Sequence, residues 1–195
     1  SRLIVGLRAE YYNLDTVVDY ENDSFLESDN NPSFDDWLFG GKITVEHDLN
    51  NSSTIFASVT KGYKAGGANI FPGLEGDDPD TKKVVEQNFS TSYDTEDLWN
   101  YELGLRSSLL DGALVSQLTL FYLDREDAQL RSSAGVGVDF TYGTTNAGDA
   151  EHYGAELETT WYINENWTIS AGLGLLDTEL DTTGDELSSA PSYTY

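Results

Sequence analysis

Residues 153–175 read YGAELETTWYINENWTISAGLGL. From Tyr153 to Ile163 one side of the chain collects Tyr153, Ala155, Leu157, Thr159, Trp161 and Ile163. The other side collects Gly154, Glu156, Glu158, Thr160 and Tyr162. Past Asn164-Glu165 the alternation resumes, with Trp167, Ile169, Ala171, Leu173 and Leu175 opposite Thr168, Ser170, Gly172 and Gly174. A period of two is the signature of a strand with unlike faces, because successive side chains point to opposite sides. Two such runs around a short polar turn form an antiparallel hairpin.

The same period spreads outward from this hairpin. Trp99, Tyr101, Leu103, Leu105 and Leu109 oppose Asn100, Glu102, Gly104, Arg106 and Ser108. Leu3, Val5, Leu7, Ala9 and Tyr11 oppose Gly6, Arg8 and Glu10. Ile43 and Val45 oppose Thr44 and Glu46, and Ile55, Ala57 and Val59 oppose Ser58 and Thr60. Only the stretch from Leu114 to Leu130 is irregular, where Phe121 and Leu123 break the alternation. The pattern predicts strands over 2–13, 37–49, 54–66, 98–110, 113–130, 152–163 and 166–179, an eighth starting near Ser192, and at most a helical turn within Asp80–Gln87. The fold class is all-β.

Connector lengths alternate. Long segments at 14–36, 67–97, 131–151 and 180–191 are interleaved with the tight turns Asn50–Ser53, Leu110–Gly112 and Asn164-Glu165. In an up-and-down meander, alternate connections fall at opposite ends of the sheet. All long connectors therefore share one end, the asymmetry of outer-membrane barrels. Strands of 10–14 residues exceed the soluble norm of about 5–6 and suit a tilted crossing of about 9–11. Trp161 and Trp167 bracket one end, while Trp99, Tyr101 and Tyr153 sit by the long connectors, as two interfacial aromatic girdles would. Alternation alone does not separate this barrel from a β-sandwich. Strand length, connector rhythm and girdles favour the membrane.

Charge sorts the same way. The chain has 195 residues and a formal net charge of -25, yet 27 of its 35 carboxylates lie in or beside the long connectors, leaving the strands nearly neutral. Such acidity argues against nucleic acid as a partner. With no Cys there is neither a disulfide framework nor a thiolate metal site. The absent Met and the strand-like first residues suggest a piece of a longer chain. No HExxH, G-x-S-x-G, P-loop or dinucleotide loop is present, so an enzyme reading fails, and Glu156 with Glu158 is explained by strand periodicity. The runs Glu75–Asp80 and Asp181–Glu186 offer oxygen ligands but no EF-hand spacing, so no metal site and no cofactor are assigned.

Several stretches then resemble one family. Ser58–Asn69, SVTKGYKAGGAN, is similar to the SxGFKAGGFN signature of TonB-dependent outer-membrane receptors. Trp99–Asp124, from WNYELGLRSSLLDG to FYLD, resembles that family's YELGxKSxLxDxRxxxNxAxFYxDY hairpin. Asn146–Glu158, NAGDAEHYGAELE, resembles NAGxAxxxGxExE, and Trp167–Glu179 resembles the following LSxxxGxxxxxTEL. The blocks occur in the family's order over about half of the chain. The resemblance implies an antiparallel transmembrane β-barrel of about 22 strands, of which residues 1–195 would be a part of about seven or eight strands toward its C-terminal side, with the plug domain and closing strands absent. It implies active uptake of a scarce ligand, a ferric siderophore first, across the outer membrane of a Gram-negative cell. The TonB complex would act through the missing plug, with lipid and lipopolysaccharide around the barrel. The rivals are a passive porin-type channel and a secreted acidic β-protein binding calcium or glycans.

Three groups of site residues follow. Lys61, Gly62, Tyr63, Lys64, Gly66 and Gly67, with Asn146, Gly154 and Glu156, are motif positions. Their structural reading is favoured over ligand contact, Gly66 and Gly67 giving the backbone freedom to leave the barrel rim. Arg8, Arg106, Glu102 and Glu158 are expected to face the lumen and the plug, or simply to form cross-strand pairs. Phe71, Phe89, Tyr93, Phe140 and Tyr142, in the long connectors, are candidate ligand contacts or packing residues for the loops themselves. The acidity of these connectors disfavours a strongly anionic ligand.

Overall fold

The computed structural model describes residues 1–16, 33–69, 89–134 and 141–182. Seven long strands form one antiparallel sheet: β1 (Arg2–Asp15), β2 (Ser33–Asn50), β3 (Ser53–Lys64), β6 (Glu96–Leu109), β7 (Leu114–Glu126), β10 (Gly148–Asn164) and β11 (Trp167–Thr182). Their spatial order is β1-β2-β3-β6-β7-β10-β11, a meander in which each long strand pairs with its predecessor. Two small ribbons stand on the connectors: β4 (Gly67–Ala68) with β5 (Ser92–Tyr93), and β8 (Gln129–Ala134) with β9 (Thr141–Asn146). The expected eighth strand and the helical turn in 80–87 lie outside the described residues.

The seven predicted strands match the seven long strands in number and order, but β2 and β10 each begin four residues earlier than expected, at Ser33 and Gly148, and one run is cut short. The expected run 113–130 breaks at Asp127, whose φ is 54°, and chain direction changes before β8 begins. The tight turn after β6 carries positive φ at Leu110, Asp111 and Gly112, conformations that Asp and Gly accept readily.

Register explains why the faces differ. Leu3 pairs with Val45, Val45 with Ala57, Ala57 with Leu103, Leu103 with Leu120, Leu120 with Ala155, and Ala155 with Leu175. One apolar row thus crosses all seven strands. The neighbouring row on the other face runs Arg2, Glu46, Phe56, Gly104, Thr119, Glu156 and Gly174. Phe121 and Leu123 therefore belong to the polar face, which resolves their irregularity in the sequence.

Burial is inverted relative to a water-soluble protein. Leu7 is 88% exposed and Trp167 67%, and Leu103, Leu120, Leu157, Leu173 and Leu175 are exposed as well. Thr44, Glu46, Ser58 and Thr119, on the polar face, are buried. Among the described residues no second sheet covers the apolar face. An uncovered apolar wall of this extent is unfavourable in water and favourable in lipid. From Tyr153 to Trp161 the chain advances eight residues, about 26 Å along the strand. At a tilt of 35–45° that is roughly 20 Å of height, near the apolar band of about 25 Å in outer-membrane barrels. Tyr11, Trp37 and Phe39 continue the upper girdle, with ring centroids 5.4 and 6.3 Å apart.

Candidate functional site: the polar face and the base of the loops

The polar face is stitched across strands. Glu46 on β2 receives Arg2 from β1 and Arg106 from β6, each at 2.8 Å. Arg106 also donates through Nε to Gln117 Oε1 at 3.0 Å and stacks 4.2 Å from the Phe56 ring, so one side chain ties β2, β3, β6 and β7. Glu102 accepts from Ser58 Oγ at 2.8 Å and Asn100 Nδ2 at 2.9 Å, with Lys42 Nζ at 3.9 Å. Arg8 pairs with Glu10 and lies 5.4 Å over the Tyr63 ring, whose hydroxyl donates to Glu10 at 2.9 Å. Tyr63 thus reaches the polar face, although its parity with Val59 and Lys61 assigns it to the other. Glu156 and Glu158 are exposed on the polar face and make no ion pair among the described residues. Lys61 sits with the upper girdle, 5.7 Å over Trp99 and 2.9 Å from Asp97.

Two glycines on this face are notches for rings. Phe56 is paired with Gly104, and Phe121 with Gly154. A Cβ on Gly104 would run into the Phe56 ring, and one on Gly154 into the Leu175 carbonyl, with Phe121 Cζ 2.8 Å away. Gly154 therefore serves close approach of ring and backbone. The same holds for the motif glycines 66 and 67, and here the expectation of unusual backbone angles is corrected. Neither has a positive φ. A Cβ at Gly66 would lie 2.5 Å from the Phe34 ring and from the Tyr93 carbonyl, and one at Gly67 would lie 2.6 Å from the Tyr93 hydroxyl. Crowding, not freedom, demands glycine there. Gly62 is ordinary, with Leu98 Cβ at 3.9 Å, and Lys64 contributes its carbonyl to the contacts below.

Above the upper girdle, three amide side chains lock the connectors together. Asn69, the last residue of the Ser58–Asn69 motif, donates to the carbonyls of Ser90 (2.9 Å) and Thr144 (2.8 Å) and accepts from Thr144 N at 2.8 Å. Gln129 donates to the carbonyls of Lys64, Ala65 and Asp94 at 3.2, 3.0 and 2.9 Å. Asn146 donates to the carbonyls of Asp94 and Asp127 and accepts from Asp94 N at 2.7 Å. Beneath them Glu96, 1% exposed, accepts from Arg125 Nε and from Gln129 N, both at 2.7 Å. Burial pushes the Glu96 carboxyl up, but the Arg125 and Gln129 hydrogen bonds and the charges of Arg125 and Lys64 more than offset it, leaving it below the usual carboxylate range. Every buried side-chain polar atom among the described residues has a partner.

The candidate ligand aromatics divide. Phe89 is buried, packed where a Cβ on Gly143 would lie 2.7 Å from its ring. Tyr93 packs on Gly67. Tyr142 is exposed, with the Arg131 guanidinium 3.7 Å from its ring centroid. Phe71 and Phe140 lie outside the described residues, as do most of the acidic runs at 75–80 and 181–186. Glu96, Gln129 and Arg131 escaped the sequence reading. Asn69, at the end of the Ser58–Asn69 motif, and Asn146, at the start of the Asn146–Glu158 motif, are the clamp residues that the sequence motifs mark.

A strip of long antiparallel strands with an apolar outer face, a polar inner face, girdles and long connectors at one end is the wall of an outer-membrane β-barrel. The chain belongs to the family described as TonB-dependent receptor-like, beta-barrel, which matches residues 2–195. It is 32% identical over 142 residues to the pesticin receptor of Yersinia enterocolitica, covering 72% of this chain and 18% of that protein, and equally to the pesticin receptor of Yersinia pestis. Among solved structures it is similar to the ferric yersiniabactin uptake receptor FyuA of Yersinia pestis (25% identity, TM-score 0.58, 80% of this chain and 20% of that one). The copper transporter OprC shares the fold (21% identity, TM-score 0.63, 91% and 27%). The chain spans about a fifth of the length of the curated relatives it matches. Members of this family are receptors and transporters of the outer membrane, not enzymes.

Proposed function

We propose that this barrel wall serves a receptor that takes up a ferric siderophore across the outer membrane, with TonB acting on a plug domain held within the barrel. The observation that carries the reading is the rigid base of the loops. Asn69, Gln129, Asn146 and Glu96 hold two long connectors in one arrangement above the polar face, and a receptor needs such a preorganised rim to recognise a ligand from outside. The similarity to a ferric yersiniabactin uptake receptor supports iron as the cargo's metal. The exposed Glu156 and Glu158 supply unpaired carboxylates to the lumen, where a plug would lie.

The test is uptake of radioactive iron and growth on defined iron sources by a strain lacking the full receptor, with and without the gene restored. Receptor-dependent uptake that also needs TonB is the expected result. Uptake unaffected by loss of TonB would overturn the reading in favour of a passive channel.

A further inference from the structure

The β8–β9 ribbon has a packed face and an open one. Gly143 is buried under Phe89, and the Thr144 backbone is held by Asn69. Arg131 pairs with Thr144 and Ser133 with Tyr142, so Arg131 and Tyr142 are diagonal neighbours on one face of the ribbon. That face is exposed at Arg131, Ser133 and Tyr142. The guanidinium lies 3.7 Å from the tyrosine centroid. Stacking uses the guanidinium's flat face and leaves its in-plane N–H edge available for a bidentate anion.

Charge makes this pair unusual. Every other described arginine, Arg2, Arg8, Arg106 and Arg125, lies within 4.0 Å of a carboxylate, whereas Arg131 makes no ion pair among the described residues. Between Ala128 and Gly148 the sequence holds one Arg and one Asp, Arg131 and Asp139, so this ribbon is neutral in a chain of net charge -25. An anion repelled by the other connectors meets here a cation already oriented by an aromatic ring. The ribbon's attachment at Asn69, Gln129 and Asn146 means that little ordering remains to be done on binding.

We infer that Arg131, stacked on Tyr142, is a ligand-recognition element for an aryl group bearing a carboxylate or phenolate. The anion takes the N–H edge of Arg131, and the ligand's ring packs against the Arg131–Tyr142 stack. This deepens the receptor reading proposed above and rests on it.

The test uses the full-length receptor in detergent and two ferric complexes of equal coordination chemistry, those of benzohydroxamate and of 4-carboxybenzohydroxamate. Binding is followed by quenching of protein fluorescence. The wild-type receptor should bind the carboxylated complex about tenfold more tightly. Arg131→Gln should abolish that preference by weakening the carboxylated complex alone, Arg131→Lys should keep part of it, and Tyr142→Leu should weaken both complexes. Equal binding of the two complexes by the wild type, or an Arg131→Gln change that affects both alike or neither, overturns the inference. If receptor-dependent iron uptake holds in cells at the same time, the receptor reading survives that result. If neither complex binds and uptake is receptor-independent, both readings fall together.

Discussion

Substituting Gly154 by alanine tests the geometry of the barrel wall most directly. The added methyl would be driven into the backbone carbonyl of Leu175 on β11, and its other neighbour, Phe121 Cζ, is only 2.8 Å away. The ring can rotate, but the carbonyl belongs to a strand hydrogen-bonded along its whole length and cannot retreat without opening the ladder. Overpacking of this kind costs about 1–3 kcal/mol. Replacing glycine returns up to about 1 kcal/mol by restricting the unfolded chain. The net expectation is a loss of about 1–2 kcal/mol, read as a lowered urea midpoint of the full receptor in micelles. Gly62→Ala is the matched control. Its nearest neighbour is Leu98 Cβ at 3.9 Å and it has no positive φ, so it should be neutral or slightly stabilising. Combining Gly154→Ala with Phe121→Ala should show coupling of about 0.5 kcal/mol or more but incomplete rescue, because the Leu175 carbonyl stays. Equal midpoints for Gly154→Ala and Gly62→Ala would refute the packing account.

Leu120→Arg places a charge at mid-band on the lipid face and should cost about 2–4 kcal/mol, seen as poor assembly into the outer membrane; Thr119→Arg, one residue earlier and facing inward, should assemble, and similar assembly of the two would refute the assignment of faces. Arg106→Leu removes the Glu46 pair, the Gln117 bond and the Phe56 stack, for a loss of about 1–2 kcal/mol. Unchanged heat stability of the barrel together with unchanged transport would count against a role in tying the wall. Glu96→Gln breaks the Arg125 pair and should speed proteolysis within the connectors. Because the Glu96 carboxyl is held below its ordinary value of 4.5 in the folded protein, its contribution is complete above that pH and is lost as the pH falls below it. Wild-type protection should therefore fade in acid and the variant's should not change there.

The wall was legible because its signal is local. Alternation at Tyr153–Ile163 and Trp167–Leu175 specifies face and register together, since a slip by one residue would exchange lipid for lumen along the whole strand. The exceptions were tertiary. Phe121 breaks the apolar–polar period because Gly154 on the neighbouring strand makes room for its ring on the polar face. Asp127 ended β7 early although Ala128–Leu130 continues an acceptable strand pattern, because the chain turns there to bring Gln129 onto Glu96. Gly66 and Gly67 were recognisable as required glycines, but the cause lay in Phe34 and Tyr93, each more than 25 residues away. Gln129 gives no local signal at all, and Asn69 only its place at the end of the Ser58–Asn69 motif. A lone amide becomes a clamp only when carbonyls from distant segments converge on it, and periodicity carries no record of that convergence.

That convergence also bears on how a ligand could be felt by the barrel. Gln129 ties the end of β3 to the entry of β6, and Asn146 ties the entry of β6 to the junction after β7. Asn69 joins the β4 segment to β9, and Glu96 holds Arg125 and the Gln129 amide from below. Displacing either connector alone would strand buried donors and acceptors, at about 1–3 kcal/mol for each group left unpaired. The two connectors therefore shift together or not at all. A contact made at the open face of β8–β9 acts on the roots of β3, β6 and β7 through hydrogen bonds rather than through loose chain. The acidic segments and the neutral ribbon then have separate tasks: the first keep the outer end hydrated and repel most anions, and the second offers the one oriented guanidinium on the described part of that end which is not already spent on a carboxylate.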